Sequence, residues 1–142
     1  MTARLRILVD VNVVLDVLTK RDPHYEPSAA VWALVEREVV EGMIAAHTVT
    51  TVHYLVAKHL GCGQANVVIS KLLRVFSVAS IDQDVLLTAL GLGWRDFEDA
   101  VQMAAALDMR ADYLVTRNPQ DFKDELVRVI LPGDLVALFP VP

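Results

Sequence analysis

The chain has 142 residues, 54% of them hydrophobic, with a net charge of −5 and a single cysteine, Cys62. Its length suits one domain with a full hydrophobic core, and the apolar excess points to a sheet buried on both faces or to an apolar surface used for association. The charge argues against broad nonspecific nucleic-acid binding, though not against a local basic patch, and the lone cysteine excludes an internal disulfide and favours a reducing, cytosolic setting. No apolar run reaches the roughly 18 residues of a membrane span. The N-terminus MTARLRILVD lacks the pattern of a signal peptide.

The elements alternate along the chain. LRILV (5–9) is β-branched, apolar and uninterrupted, which predicts a buried strand. NVVLDVLTK (12–20) predicts a short helix stopped by RDP, and PSAAVWALVEREVVEG (27–42) a second helix. In the latter, Ala30, Leu34 and Val35 share a stripe, Glu36, Arg37 and Glu38 form a polar side, and Gly42 suits a helix stop. MIAA (43–46) predicts a strand, and TVTTVHYLVAKHLG (48–61) a helix with Thr48 as N-cap and Gly61 as stop. GQANVVISKLLRVF (63–76) predicts a helix running into a strand near VFSVA. Helices over 81–93, with Asp82 near its start, and over 96–109, which is Ala-rich, precede a strand in YLVT. A last strand over 126–130 and a short helix over 132–139 close the chain. This alternation predicts an α/β fold with a mostly parallel sheet.

Ligands of open parallel sheets bind beyond the carboxyl ends of the strands. The first strand ends at Asp10, the second at His47 and Thr48, and the fourth at Thr116, Arg117 and Asn118, with Asp121 shortly after. The helix opening at Asp96 leads into that fourth strand and brings Asp96, Glu98 and Asp99 to the same edge. Asp10, Asp96, Asp99 and Asp121 therefore converge, with Thr116 and Asn118. Clustered carboxylates repel one another unless a cation joins them. Hard oxygen ligands suit Mg2+ or Mn2+, ions that serve phosphoryl chemistry.

Each acid also has a plainer reading. Asp96 and Asp99 fit a helix cap, Asp121 a turn, and Asp10 a cap for the next helix. Asp16 either supports the site or faces solvent. His47, His53 and His59 recur every six residues, which scatters them around a helix and argues against a zinc site.

The segments ILVDVNVVLDVL, EGMIAAHTVTTVHYLVAK, DFEDAVQMAAAL and YLVTRNPQDF, in this order and spacing, resemble the PIN domain over essentially the whole chain. The resemblance implies a three-layer α/β/α sandwich with a parallel sheet of about five strands. It implies a ribonuclease dependent on Mg2+ or Mn2+ that cuts single-stranded RNA, and many small members are toxins held by an antitoxin. Asp10 then matches the first metal-binding acid and Asn12 its companion. Asp99 matches the acid on the helix before the fourth strand, with Asp96 and Glu98 as neighbours. Thr116 matches the hydroxyl residue ending that strand, and Asn118 a position that is often Asp, with Asp121 supplying a carboxylate nearby.

Thr51 stands where the family carries a Glu, so the site has less negative charge with which to hold a metal. This leaves two readings, a nuclease in which Asp96 or Glu98 replaces the acid, and a degenerate PIN module that binds RNA or a protein without cutting. Arg95 and Arg117 fall near the same edge, as RNA-backbone contacts or as surface charges. The apolar excess favours a homodimer, and AVWALV an apolar groove for an antitoxin peptide between the early helices.

Overall fold

The computed structural model describes residues 3–123 and 126–140. In chain order the elements are β1 (Arg6–Val9), α1 (Val11–Leu18), α2 (Tyr25–Glu36), β2 (Glu41–Ala45), α3 (Ala46–Leu60), α4 (Cys62–Val75), β3 (Ser77–Ala79), α5 (Gln83–Leu92), α6 (Phe97–Asp108), β4 (Tyr113–Val115), β5 (Arg128–Ile130) and α7 (Pro132–Ala137). A 3-10 turn, Pro119–Asp121, follows β4. The strands form one parallel sheet in the order β3-β2-β1-β4-β5.

Successive side chains of a strand point to opposite faces, so an apolar strand feeds two cores. Ile7, Val9, Ile44 and Val115 pack with residues of α1 to α4 and α7, including Val14, Val31, Val52, Leu72 and Leu135. Leu8, Met43 and Leu114 pack on the other face with α5 and α6. There Ala100, Ala104, Ala105 and Ala106 are all buried, because their small side chains let α6 lie close to the sheet. The outcome is the three-layer sandwich that the sequence implies.

The order 3-2-1-4-5 reverses direction between β1 and β4, and this switch point opens the crevice where such sheets bind ligands. Helix α6 is tied to the two flanks of β1, through its C-terminus and through its middle. At one end Arg6 donates from Nη2 to the carbonyl of Met109, 2.7 Å away, where a cation suits a helix C-terminus. At the other end Asp10 meets Gln102.

Several boundaries differ from the sequence reading. α2 starts at Tyr25 and stops at Glu36, well short of Gly42, with the chain reversing through Glu38 at φ 59°. Its buried stripe is Ser28, Val31 and Val35, while Ala30 and Leu34 are half-buried. Trp32 meets Phe76 edge-on at 5.1 Å, so AVWALV serves the core. The pair Val39–Val40 looks like more helix in sequence, but Val40 is buried and leads into β2. Gly42 lies inside β2, which begins two residues before the expected strand, and is needed there for close packing rather than as a helix stop. A Cβ at that position would lie 2.6 Å from a methyl of Val35 and 3.0 Å from the ring of Phe76. Gly42→Ala is therefore expected to destabilise the fold by about 1–3 kcal/mol, read as a lower urea midpoint.

Helix α3 begins at Ala46, directly after β2, with no side-chain cap. Thr48 is not its cap; it is buried on the stripe that Val52 and Val56 continue. His47 likewise belongs to the first turn of α3, not to the strand end. β5 starts at Arg128, two residues later than expected.

Candidate active site

Asp10 occupies the N-cap position of α1, yet its side chain makes no cap hydrogen bond. Its main chain bridges the two central strands, with the N–H donating to the carbonyl of Val115 at 2.9 Å. Its carboxylate accepts a short hydrogen bond from Gln102 Nε2 on Oδ1 and a 2.9 Å bond from Thr116 Oγ1 on Oδ2. Thr116 Oγ1 in turn accepts from the Asn118 N–H at 3.1 Å. The carboxylate is thus held by β4 and α6 together, and it is 4% exposed. Burial pushes its pKa up, against the opposing effect of the Gln102 and Thr116 hydrogen bonds and the charge of Arg117.

Asp96 does cap α6, its Oδ1 accepting from the Asp99 N–H at 3.1 Å. Asp99 lies one turn before Gln102 on that helix, so both share the face turned to Asp10. Its carboxyl is pushed up to about 7, first by burial, then by the charges of Asp96, Asp10 and Asp121 and by a carboxyl–carboxyl contact with Asp96. The other three acids named from the sequence therefore all bear on Asp99. Asp96, Asp99 and Asp121 line a cleft of about 250 Å³ with Arg95, Trp94, Gln120 and Lys123.

Asn12 is half-buried in α1, two residues beyond Asp10, and Asn118 is half-buried at the start of the 3-10 turn. Thr51 is half-buried in α3, one turn beyond His47. Arg117 points Nε at Asp16 Oδ2, 3.3 Å away, and Arg21 approaches the other oxygen at 3.8 Å. Asp16 is fully buried, so it does not face solvent. Burial pushes its pKa up, while Arg117, His24 and Arg21 oppose this.

One neighbour of the acids escaped the sequence reading. Gln102 is a polar residue inside AVQMAAA, and that misfit, three residues after Asp99, was the available signal. His47 sits with Nε2 3.9 Å from Glu98 Oε1, and burial lowers its pKa although Glu98 and Asp10 favour the charged form. It comes from the first turn of α3, just beyond the carboxyl end of β2, the edge at which the sequence places it.

Among the described residues, no three His, Cys, Asp or Glu side chains form a ready metal cage. The donor set still fits a hard divalent ion. Mg2+ takes one or two carboxylates and keeps several waters, and Asp10, buried, and Asp99, half-buried, are acids whose mutual repulsion a cation would remove.

A parallel sheet with acids gathered at its switch point defines an α/β protein with a candidate phosphoryl-transfer site. The chain belongs to the PIN-domain family, whose family model, described as PIN domain, matches residues 6–120. It is similar in structure to VapBC2 from Rickettsia felis bound to promoter DNA, with a TM-score of 0.70 and 15% identity over 89% of this chain and 98% of that one. It is similar to a toxin–antitoxin complex from Klebsiella pneumoniae, with a TM-score of 0.66 and 24% identity over 89% and 97%. It also resembles VapC20 from Mycobacterium tuberculosis, a toxin that cleaves the sarcin–ricin loop, with a TM-score of 0.61 and 17% identity over 76% and 86%. At these identities the likeness is one of fold. No curated protein sequence matches the chain significantly.

Proposed function

We propose that the protein is a divalent-metal-dependent endoribonuclease of single-stranded RNA and the toxin of a toxin–antitoxin pair. The observation that carries this is the gathering of Asp96, Asp99 and Asp121 in one cleft, with Asp10 held to the same helix through Gln102. Membership of the PIN-domain family and the likeness to toxin structures support it.

Asp10 and Asp99 hold Mg2+ or Mn2+, with Asp96 and Asp121 completing the charge that Thr51 does not supply. The ion supplies charge neutralisation at the scissile phosphate and a more acidic water. Gln102 and Thr116 fix the Asp10 carboxylate, so its oxygens need not reorganise as charge develops. Asn12 and Asn118 offer amide donors to the phosphate beside them. Arg95 and Lys123, in the cleft with the acids, attract the backbone of the strand. Arg117 adds its charge while its Nε stays with Asp16.

The exposed Leu86, Leu87, Leu90 and Phe97 on α5 and α6 suit an apolar antitoxin segment, and Tyr54 and Leu60 on α3 suit a second copy of the chain. Among the described residues no helix is long and apolar enough to cross a membrane.

The protein is expected to cut labelled single-stranded RNA with Mn2+ or Mg2+ and not with EDTA, and Asp99→Asn to cut at least about 100-fold more slowly. Equal rates for the two proteins with both metals would overturn the nuclease reading. Thr51 motivates the alternative, a module that binds RNA or a protein without cutting, and RNA affinity without cleavage would favour it.

A further inference from the structure

A second cavity, of about 240 Å³, lies where the N-terminus of α2 meets α7 and is lined by His24, Pro27, Ser28, Arg117 and Asp134. Ser28 is 1% exposed, and its hydroxyl has no hydrogen-bond partner. A buried hydroxyl left unpaired costs free energy, and a ligand that pairs with it recovers that cost. α2 has twelve residues; in its first turn Pro27 carries no N–H and that of Ser28 goes to the His24 carbonyl, so Tyr25 and Glu26 supply the two backbone donors this end can offer an anion.

The local charges limit the ligand. Arg117 and Arg21 both approach the single carboxylate of Asp16, leaving one positive charge in excess. Exposed Asp134 in the cavity and exposed Glu26 in the first turn of α2 offset that excess and oppose a ligand of high negative charge. This balance suits a singly charged phosphodiester better than a doubly charged terminal phosphate. Arg117 also links the cavity to the acids, because it follows Thr116 in the chain and its charge bears on Asp10.

We propose that Ser28, Arg117, His24 and the α2 N-terminus form a phosphodiester subsite for the RNA strand, holding a phosphate that neighbours the one at Asp10 and Asp99. This rests on the nuclease reading for the identity of the strand, but not for the presence of an anion site.

Two measurements test it. In EDTA, Ser28→Ala should weaken binding of a short labelled single-stranded RNA by about 3- to 10-fold, the loss of one hydrogen bond to a charged group, without lowering the melting temperature. Asp134→Asn should tighten binding, whereas Asp108→Asn, the same charge change at the far end of α6, should not. Titration with dimethyl phosphate should shift the amide resonances of Tyr25 and Ser28, and Ser28→Ala should abolish the response. If RNA is bound and cut but Ser28→Ala binds it like wild type, the subsite is wrong and the nuclease reading stands. If dimethyl phosphate binds through Ser28 but no metal supports cleavage, the subsite stands and the nuclease reading fails. No response to dimethyl phosphate, with RNA affinity indifferent to Ser28 and Asp134, overturns the subsite outright.

Discussion

Asp10→Asn is expected to lower RNA cleavage by at least about 100-fold while leaving the melting temperature at or above that of wild type. The loss follows from removing the most buried charge in the site, the one that joins both halves of the sheet at the switch point. Retention of the fold follows from the hydrogen bonds around it. Gln102 now donates to Asp10 Oδ1, and its own Oε1 is buried without a partner. A flip of the Gln102 amide would present Oε1 to the new side-chain N–H2, and Thr116 Oγ1 would still donate to the remaining oxygen. The substitution also removes a carboxylate whose burial is unfavourable. Cleavage assays and thermal melts on the same preparation read both parts. Full activity in the variant would remove Asp10 from the reaction. Lost activity with a collapsed fold would show that the carboxylate is structural, against this account. Gln102→Ala should behave differently, keeping the charge but freeing its position, and so should lower the rate by roughly 10- to 100-fold.

The sheet, its parallel sense and the gathering of acids were legible because they rest on local signals. β1 reads as a buried strand since both its faces are apolar, and an acid at its end has few other uses. Asp96 and Asp99 were legible as a pair because DFED marks a helix start, and here capping and charge clustering coexist in the same residues. What was not legible depends on contacts between distant segments. Gly42 read as a helix stop because the Val35 and Phe76 side chains that exclude a Cβ come from two other elements. Asp16 stayed undecided because its partner Arg117 is about a hundred residues away and meets it only once β1 and β4 lie side by side. Gln102 was overlooked for the same reason: its use becomes visible only when α6 crosses β1. Arg117 was read as a residue facing RNA or solvent, and its ion pair ties it inward as well. The polar residues that shape the site thus come in two groups. The acids announce themselves by position in their own elements, and the residues that hold them do not.

Without divalent metal, the protein is expected to lose stability as pH rises from about 4 through 7, and Asp99→Asn is expected to lose less. An ordinary Asp titrates near 3.9, so the unfolded chain gives up this proton early. In the fold Asp99 keeps it to about 7. Between these values the native state binds more protons than the unfolded state, so raising the pH favours unfolding, and above 7 the loss is complete. Asp10 and Asp16, also raised, act in the same direction. His47 opposes them, since its lowered pKa makes the fold lose stability as pH falls through 6.5. The difference between wild type and Asp99→Asn isolates the one acid. Because Asp99 is half-buried and its field is screened by water, about 1–2 kcal/mol of the effect should survive, which corresponds to about 3–7 °C in melting temperature. In EDTA at pH 8, Asp99→Asn should therefore melt above wild type by this amount, and the gap should shrink to about a third at pH 5 and close near pH 4. Mn2+ should reverse the order, because an ion bound between the carboxylates stabilises only the folded state with its acids ionised. The Mn2+ shift should be larger at pH 8 than at pH 6 and nearly absent in the variant. If wild type and Asp99→Asn show the same pH slope in EDTA and the same response to Mn2+, then the acids at the switch point neither repel one another nor share a cation. The metal-dependent reaction would then lose its physical basis even though the fold remains that of a PIN domain.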